Sequence, residues 1–250
     1  MDIPADWWRD GVAPLSAVLW RGVEAQHRVA TMKLVDSLAE QALLEQLLET
    51  SKPPLPAGCE NLHYLLAAPF RYRSPQASRF RRRTDAGVWY GAVELATAGA
   101  EVAYWRWRFL MDSAALQAQA LISEHSFFQA RVDGRCADLQ TEPWLAAQSH
   151  WTAPGDYSAC QALAAQARQQ AVSWIAYASV RQPGGRCGAV LQPLALQRHE
   201  PQRQPTWVIK ISAARALMVG ESGGWSWSFE SDAVRGQPQG DGHRTLTTDT

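Results

Sequence analysis

Several common signatures are missing from this sequence, and each absence narrows its reading. The four cysteines (Cys59, Cys136, Cys160, Cys187) are far apart and form no CxxC pair. That spacing fits free thiols in the cytoplasm better than a disulfide framework or a zinc site. The six histidines are equally scattered, with no HxxxH or HExxH spacing, so no metal is expected. No run approaches the ~20 apolar residues that span a bilayer, and residues 1–6 lack the basic and apolar regions of a secretory signal. A cytoplasmic protein without a membrane partner is therefore expected. Net charge is lacking too: Lys+Arg and Asp+Glu both number 24, which gives bulk electrostatics no pull toward duplex DNA or an anionic surface. Neither a GxGxxG nor a Walker-type loop is present, so any nucleotide would have to be held by side chains.

What is there suits one globular core. A chain of 250 residues with 46% apolar and 19% charged residues is long enough to bury one substantial core and too short to require two. Residues 1–15 read as an extension with Trp7 and Trp8 as anchors, 16–230 as the domain, and 231–250, polar and Gly-rich, as a disordered tail. Apolar periodicity predicts helices over 36–50, 97–111 and 158–170. Strands are expected at 17–23, 87–92, 174–180 and 188–191, and 206–211 and 225–230 alternate like a half-buried antiparallel pair. Residues 65–72 read as an apolar extended segment, and 113–150 resist assignment. Helices and strands are interspersed without regular βαβ units, which points to an α+β fold.

Several residues could carry chemistry, each with a plainer alternative. Residues 70–83 hold six arginines in fourteen positions: a phosphate clamp by guanidinium forks, a solvated basic loop, or a nonspecific RNA contact. Tyr90 ends a strand and could stack on a heterocycle or simply fill the core. Glu101 lies on a helix among apolar neighbours, and a buried acid is uncommon unless paired or functional; a salt bridge to one of the arginines is the alternative. Ser158 opens a helix as Ser158-x-x-Gln161, the form of a capping box, and a helix start also suits phosphate. Ser179 reads as a core hydroxyl. The twelve tryptophans are spread along the chain, which favours packing over a sugar-binding surface.

In combination, Leu19-Trp20-Arg21-Gly22-Val23, Pro69-Phe70-Arg71-Tyr72, Ser78-Arg79-Phe80-Arg81, Gly87-Val88-Trp89-Tyr90-Gly91-Ala92 and Ala100-Glu101-Val102-Ala103-Tyr104 resemble the RES-domain family. The later stretches Asp156-Tyr157-Ser158 and Tyr177-Ala178-Ser179-Val180-Arg181 continue the match, and the Arg79–Tyr90–Glu101 spacing is its most specific part. The resemblance implies a bacterial protein of ADP-ribosyltransferase-like fold, a mixed split sheet with flanking helices around a cleft. It also implies an enzyme that consumes NAD+ as substrate, by hydrolysis or phosphorolysis, as the toxin of a toxin–antitoxin pair. An Xre-type antitoxin would be the partner, with nucleic acid met only through it. The alternatives are ADP-ribose transfer to a protein, or a catalytically weak module binding a nucleotide or RNA. Carried over by position, Glu101, Tyr90, Arg79 and Ser158 are the expected catalytic set. Arg21, Arg71 and Ser179 are the expected nucleotide-binding set, with Ser179 second to Ser158 as the family's serine. Three positions depart from the pattern: Ala77 where a glycine is frequent, Gly99 on the Glu101 helix, and Cys187 where a polar residue is common.

Overall fold

In the computed structural model, residues 3–25, 34–72, 74–197, 202–221 and 223–229 are described. The tail expected over 231–250 lies outside them. The spine of the fold is β3 (Leu121–Asp138), inside the stretch where the sequence resists assignment. One edge of β3 pairs antiparallel with β1 (Val12–Glu24) along its whole length, from Val12↔Ala137 to Glu24↔His125.

The other edge of β3 is shared by two branches. Its first half pairs antiparallel with β6 (Gln202–Ile211), and its last residues pair parallel with β4 (Trp174–Ala178). From β6 the sheet continues to β7 (Arg215–Gly220) and β8 (Gly223–Ser228), and from β4 to β5 (Arg186–Val190) and β2 (Trp89–Ala92). A single contact, Trp20↔Ala92, returns β2 to β1. Among the described residues the result is one mixed eight-stranded sheet that splits along β3, in a single α+β domain. The strands at 206–211 and 225–230 are not partners as expected, because β7 lies between them and pairs with both.

Among the described residues, seven α-helices flank the sheet. The central one is α4 (Leu95–Met111), which packs on β1, β2, β5, β6 and β7. It buries Ala100, Ala103, Tyr104, Trp107 and Leu110, the i, i+3, i+4 rhythm of a helix with one apolar face. Gly99 fits here because a Cβ would stand 2.6 Å from Met218 Sδ and 3.0 Å from Trp227; close approach to β7 and β8 replaces helix propensity as the reason for the residue. Of residues 65–72, only Tyr72 is extended; the others are helical. They form α3 (Tyr64–Arg71), which buries Leu66, Ala67 and Phe70 on one side. A short apolar run cannot separate strand from helix by periodicity, and the His63 ring accepting from Leu65 N–H starts this helix.

At the N-terminus, α1 (Ala5–Asp10) sets Trp7 and Trp8 edge-on to Trp144, at 5.5 and 4.9 Å. The chain then joins the sheet at Val12, within the segment read as an extension. Residues 13–16 are exposed, so no apolar alternation marks this part of β1. The remaining helices are α2 (Leu38–Ser51), α5 (Ala114–Gln117), α6 (Gln148–Trp151) and α7 (Ser158–Gln169).

Alternation along the strands separates two cores. Ile175 and Tyr177 of β4, with Cys187 and Ala189 of β5, lie on the α4 side. Trp174, Ala176 and Val190 lie on the other face with Leu19, Trp89 and the buried residues of α3. Among the described residues no helix is long and apolar enough to cross a membrane.

Candidate active site

Glu101 is placed on α4 where its side chain meets β5 and the residue that follows β4. Its Oε1 accepts a hydrogen bond from the Ser179 hydroxyl at 2.8 Å, and the Cys187 thiol lies 3.9 Å from the same oxygen. Ser179 follows the end of β4, where its Oγ also accepts from the backbone N–H groups of Arg181 and Gln182, at 3.1 and 3.2 Å. A tight turn thus fixes the serine, and the serine fixes the carboxylate. Burial and the nearby Glu101 push the Cys187 thiol well above its ordinary pKa. It is a neutral neighbour of the carboxylate and a weak donor.

Tyr177 sits across the strand from Cys187. Its phenol is also held well above its usual pKa, by burial first and then by electrostatic coupling to Cys187 and Glu101. Phe80 packs edge-on against Tyr177 at 4.8 Å, which brings the 78–81 turn to the same place. That turn is closed by reciprocal backbone bonds between Ser78 and Arg81. It is pinned from outside by Tyr90, whose hydroxyl meets Ser78 Oγ at 2.8 Å and accepts from Phe80 N–H at 3.0 Å. Burial pushes the Tyr90 phenol up to about 12. Ala77, before this turn, does not have a positive φ, so the alanine carries no strain there.

Arg79 projects from the turn into the interior, 8% exposed. Its Nη1 donates to the carbonyls of Trp151 and Ala153 at 2.9 and 3.0 Å, and its guanidinium lies over the Tyr157 ring at 4.7 Å. Burial opposes its charge, yet Cys160, Tyr157, Tyr177 and Glu101 together keep its pKa above the ordinary arginine value.

Arg79, Tyr90, Glu101 and Ser179 are therefore gathered around Tyr177 and the 78–81 turn. The other expected residues stand apart. Ser158 is exposed at the first position of α7, and its backbone N–H donates to Asp156 Oδ1 at 2.8 Å. Tyr157, not Ser158, is the N-cap of α7. Gln161 does not close a capping box either; its amide donates to Ser78 O at 3.0 Å and Arg81 O at 3.4 Å, tying α7 to the arginine turn. Arg71 closes α3 and reaches back to α2, donating to Pro53 O at 2.7 Å and pairing with Glu49 at 3.3 Å. It braces a helix. Arg21 lies on the Trp89 side of β1, 5.5 Å over that ring, and donates to Tyr90 O at 2.8 Å. Its tie to the cluster is the backbone of β2, and burial lowers its pKa to about 10.

Of the basic stretch, Arg81 is buried and spends its N–H groups on carbonyls of its own loop, including those of Ser74, Gln76 and Arg82. Arg82 and Arg83 are exposed. The stretch is therefore neither one clamp nor one solvated loop. Sequence reasoning missed Arg181, which is 3% exposed, lies over Tyr104 at 3.5 Å and donates to Pro154 O at 2.9 Å. Its position two residues after Ser179 was the signal available.

A surface groove of about 510 Å³, lined by Gly58, Leu62, Asp133, Leu194 and Gln197 among others, belongs to the opposite face. Ala195 and Leu196 of its lining pack with the Trp89 core rather than with Tyr177. Among the described residues no group of three or more His, Cys, Asp or Glu could hold a metal ion.

Comparison with known proteins gives matches to a family model and to a solved structure. A family model described as RES domain matches residues 55–211, a span that includes Arg79, Tyr90, Glu101 and Ser179. Among solved structures, a crystal structure of the M. tuberculosis MbcT–MbcA toxin–antitoxin complex is similar, at 15% sequence identity and a TM-score of 0.46, covering 81% of this chain and 88% of that one. No curated protein matches the sequence.

Proposed function

The chain belongs to the RES-domain family, and from that premise we propose that it cleaves the bond between nicotinamide and ribose in NAD+ as the toxin of a toxin–antitoxin pair. The observation that carries the reading is the carboxylate of Glu101, held at Oε1 by Ser179 in the same cluster as the buried cation Arg79.

Cleavage of an N-glycosidic bond passes through an oxocarbenium-like state with positive charge on the ribose. A carboxylate fixed before the charge develops stabilises it without reorganising. The two contacts of Glu101 described above both use Oε1, which leaves Oε2 to accept from a ribose hydroxyl or from the incoming nucleophile. Arg79 supplies charge for the diphosphate. Tyr90 holds the arginine turn through its hydroxyl, and its half-buried ring offers a face to nicotinamide. With water as nucleophile, the C1′–N bond breaks, a C1′–O bond forms, and nicotinamide, ADP-ribose and a proton are released; with phosphate, ADP-ribose 1″-phosphate replaces ADP-ribose.

The partner in this reading is an antitoxin chain of the Xre type that closes the cleft. The test is chromatography of NAD+ incubated with the purified protein, with and without inorganic phosphate. Nicotinamide with ADP-ribose, or with its 1″-phosphate, is the expected outcome. NAD+ left intact under both conditions would end the reading.

A further inference from the structure

Arg181 and Arg79 are two buried cations that spend their N–H groups on backbone carbonyls rather than carboxylates. Arg79 Nη1 serves Trp151 and Ala153, and Arg181 Nη2 serves Pro154. Tyr157 joins them: its ring lies under the Arg79 guanidinium, and its hydroxyl accepts from Arg181 Nη2 at 3.3 Å. The other terminal nitrogen, Arg181 Nη1, is buried and takes no partner, in a side chain only 3% exposed. An unsatisfied donor on a buried charge is among the more costly features a fold can carry. A planar fork with free N–H groups matches phosphate oxygens.

The place of this pair is as telling as its charge. Tyr104, which carries the Arg181 guanidinium on its ring at 3.5 Å, follows Glu101 by three residues on α4. The two therefore share a helix face, separated by about 4.5 Å along the axis. Ser179 holds Glu101 and, through its Oγ, the backbone N–H of Arg181. A phosphate at Arg181 would thus stand about one helical turn from the carboxylate, the scale of a 5′-phosphorylated ribose.

We propose that Arg79 and Arg181, joined through Tyr157, form a two-arginine seat for the phosphate attached to the nicotinamide ribose, with Arg181 Nη1 as the donor that this phosphate satisfies. The inference rests on the NAD+-cleaving reading and adds a binding residue to it. Pro154, Gly155 and Asp156 are exposed, and the 151–154 carbonyls are the groups a phosphate would replace at the guanidinium N–H atoms. Binding and displacement of that loop are therefore one event.

Inorganic pyrophosphate is the probe, with binding measured by titration calorimetry beside NAD+ kinetics and thermal melting of each variant. Arg181→Gln is expected to weaken pyrophosphate binding at least about tenfold, the size of one charge-assisted hydrogen bond, and to raise KM for NAD+ more than it lowers kcat. Arg181→Lys keeps the charge but not the fork, and is expected to recover only part of the affinity. It also decides the matter if Arg181→Gln does not fold: wild-type affinity in Arg181→Lys would overturn the seat. Wild-type protein that cleaves NAD+ but binds no pyrophosphate, or Arg181→Gln with unchanged affinity and KM, would overturn it as well. If wild type binds pyrophosphate, loses it on Arg181→Gln and leaves NAD+ intact, the reaction falls and the seat stands.

Discussion

Glu101 depends on one neighbour more than any other, the Ser179 hydroxyl at 2.8 Å. A hydrogen bond to a charged group contributes about 1.5–3 kcal/mol. Ser179→Ala is therefore expected to lower nicotinamide release about ten- to a hundredfold, whereas Ser158→Ala changes it less than about twofold; a steady-state assay of both, with melting curves, checks the pair. Equal losses would return Ser158 to the site. The sequence favours Ser158 because Ser-x-x-Gln has the form of a capping box, but a cap is decided by where the helix begins, and α7 takes Tyr157 as its N-cap. The arginines teach the same lesson. Arg71, Arg79 and Arg81 look alike in a basic run, and only burial separates the brace to Glu49 from the cation over Tyr157 and from the self-satisfied loop residue. Arg79, Tyr90 and Glu101 came from the resemblance through their spacing, and the fold gathers them around the 78–81 turn and Tyr177. Arg181 was hidden as one more charge after a strand.

At the level of elements, α4, α7 and the 78–81 turn form the frame of the site. The α4 and α7 helices were readable from apolar spacing and lie within two residues of the expected bounds. β3 was not readable because its alternation changes phase. His125 and Phe127 are buried, then Phe128, Ala130 and Val132, with a register irregularity between Ser126 and Phe128. A bulge of this kind moves every later side chain to the other face. The approach of α3 to the segment before β2 is equally invisible in sequence, yet it fixes Gly87. A Cβ there would stand 2.0 Å from Pro69 O and 2.7 Å from Phe70 Cα, and backbone cannot swing aside like a side chain. Gly87→Ala is expected to destabilise the fold by about 1–3 kcal/mol or more, read as a lowered urea midpoint. A midpoint within error of wild type would show that α3 does not hold β2. Since β2 carries Tyr90, the same variant is expected to raise KM for NAD+.

For the molecule as a whole, the split sheet gives its two faces different work: one carries α4 and the Glu101 cluster, the other the Trp89 core and the groove beside Leu194. The interior of the first face also sets an acid limit. His125, 2% exposed with Nδ1 unpartnered, is held down to about 4 by burial, with Arg106 acting in the same direction. Between that value and the ordinary 6.5 the unfolded chain binds a proton that the folded chain refuses. Stability therefore rises with pH across this window and is lost as pH falls through it, by up to about 3 kcal/mol from this one group. Melting temperatures from pH 7 to pH 4 are expected to fall less steeply for His125→Gln than for wild type; parallel curves would remove His125 from the account. The α+β class was expected from helices and strands interspersed without βαβ units, and the split sheet from the resemblance, while the order of the strands was not, since pairing across a hundred residues leaves no local mark. The central claim remains the chemical one, that a fixed carboxylate at residue 101 breaks the nicotinamide–ribose bond. Its most direct test is the rate of nicotinamide release from NAD+ by wild type and Glu101→Gln, a change of one atom that removes the charge and keeps the shape. A fall of at least about a hundredfold with an unchanged melting temperature is the expected result, and equal rates in the two folded proteins would contradict it.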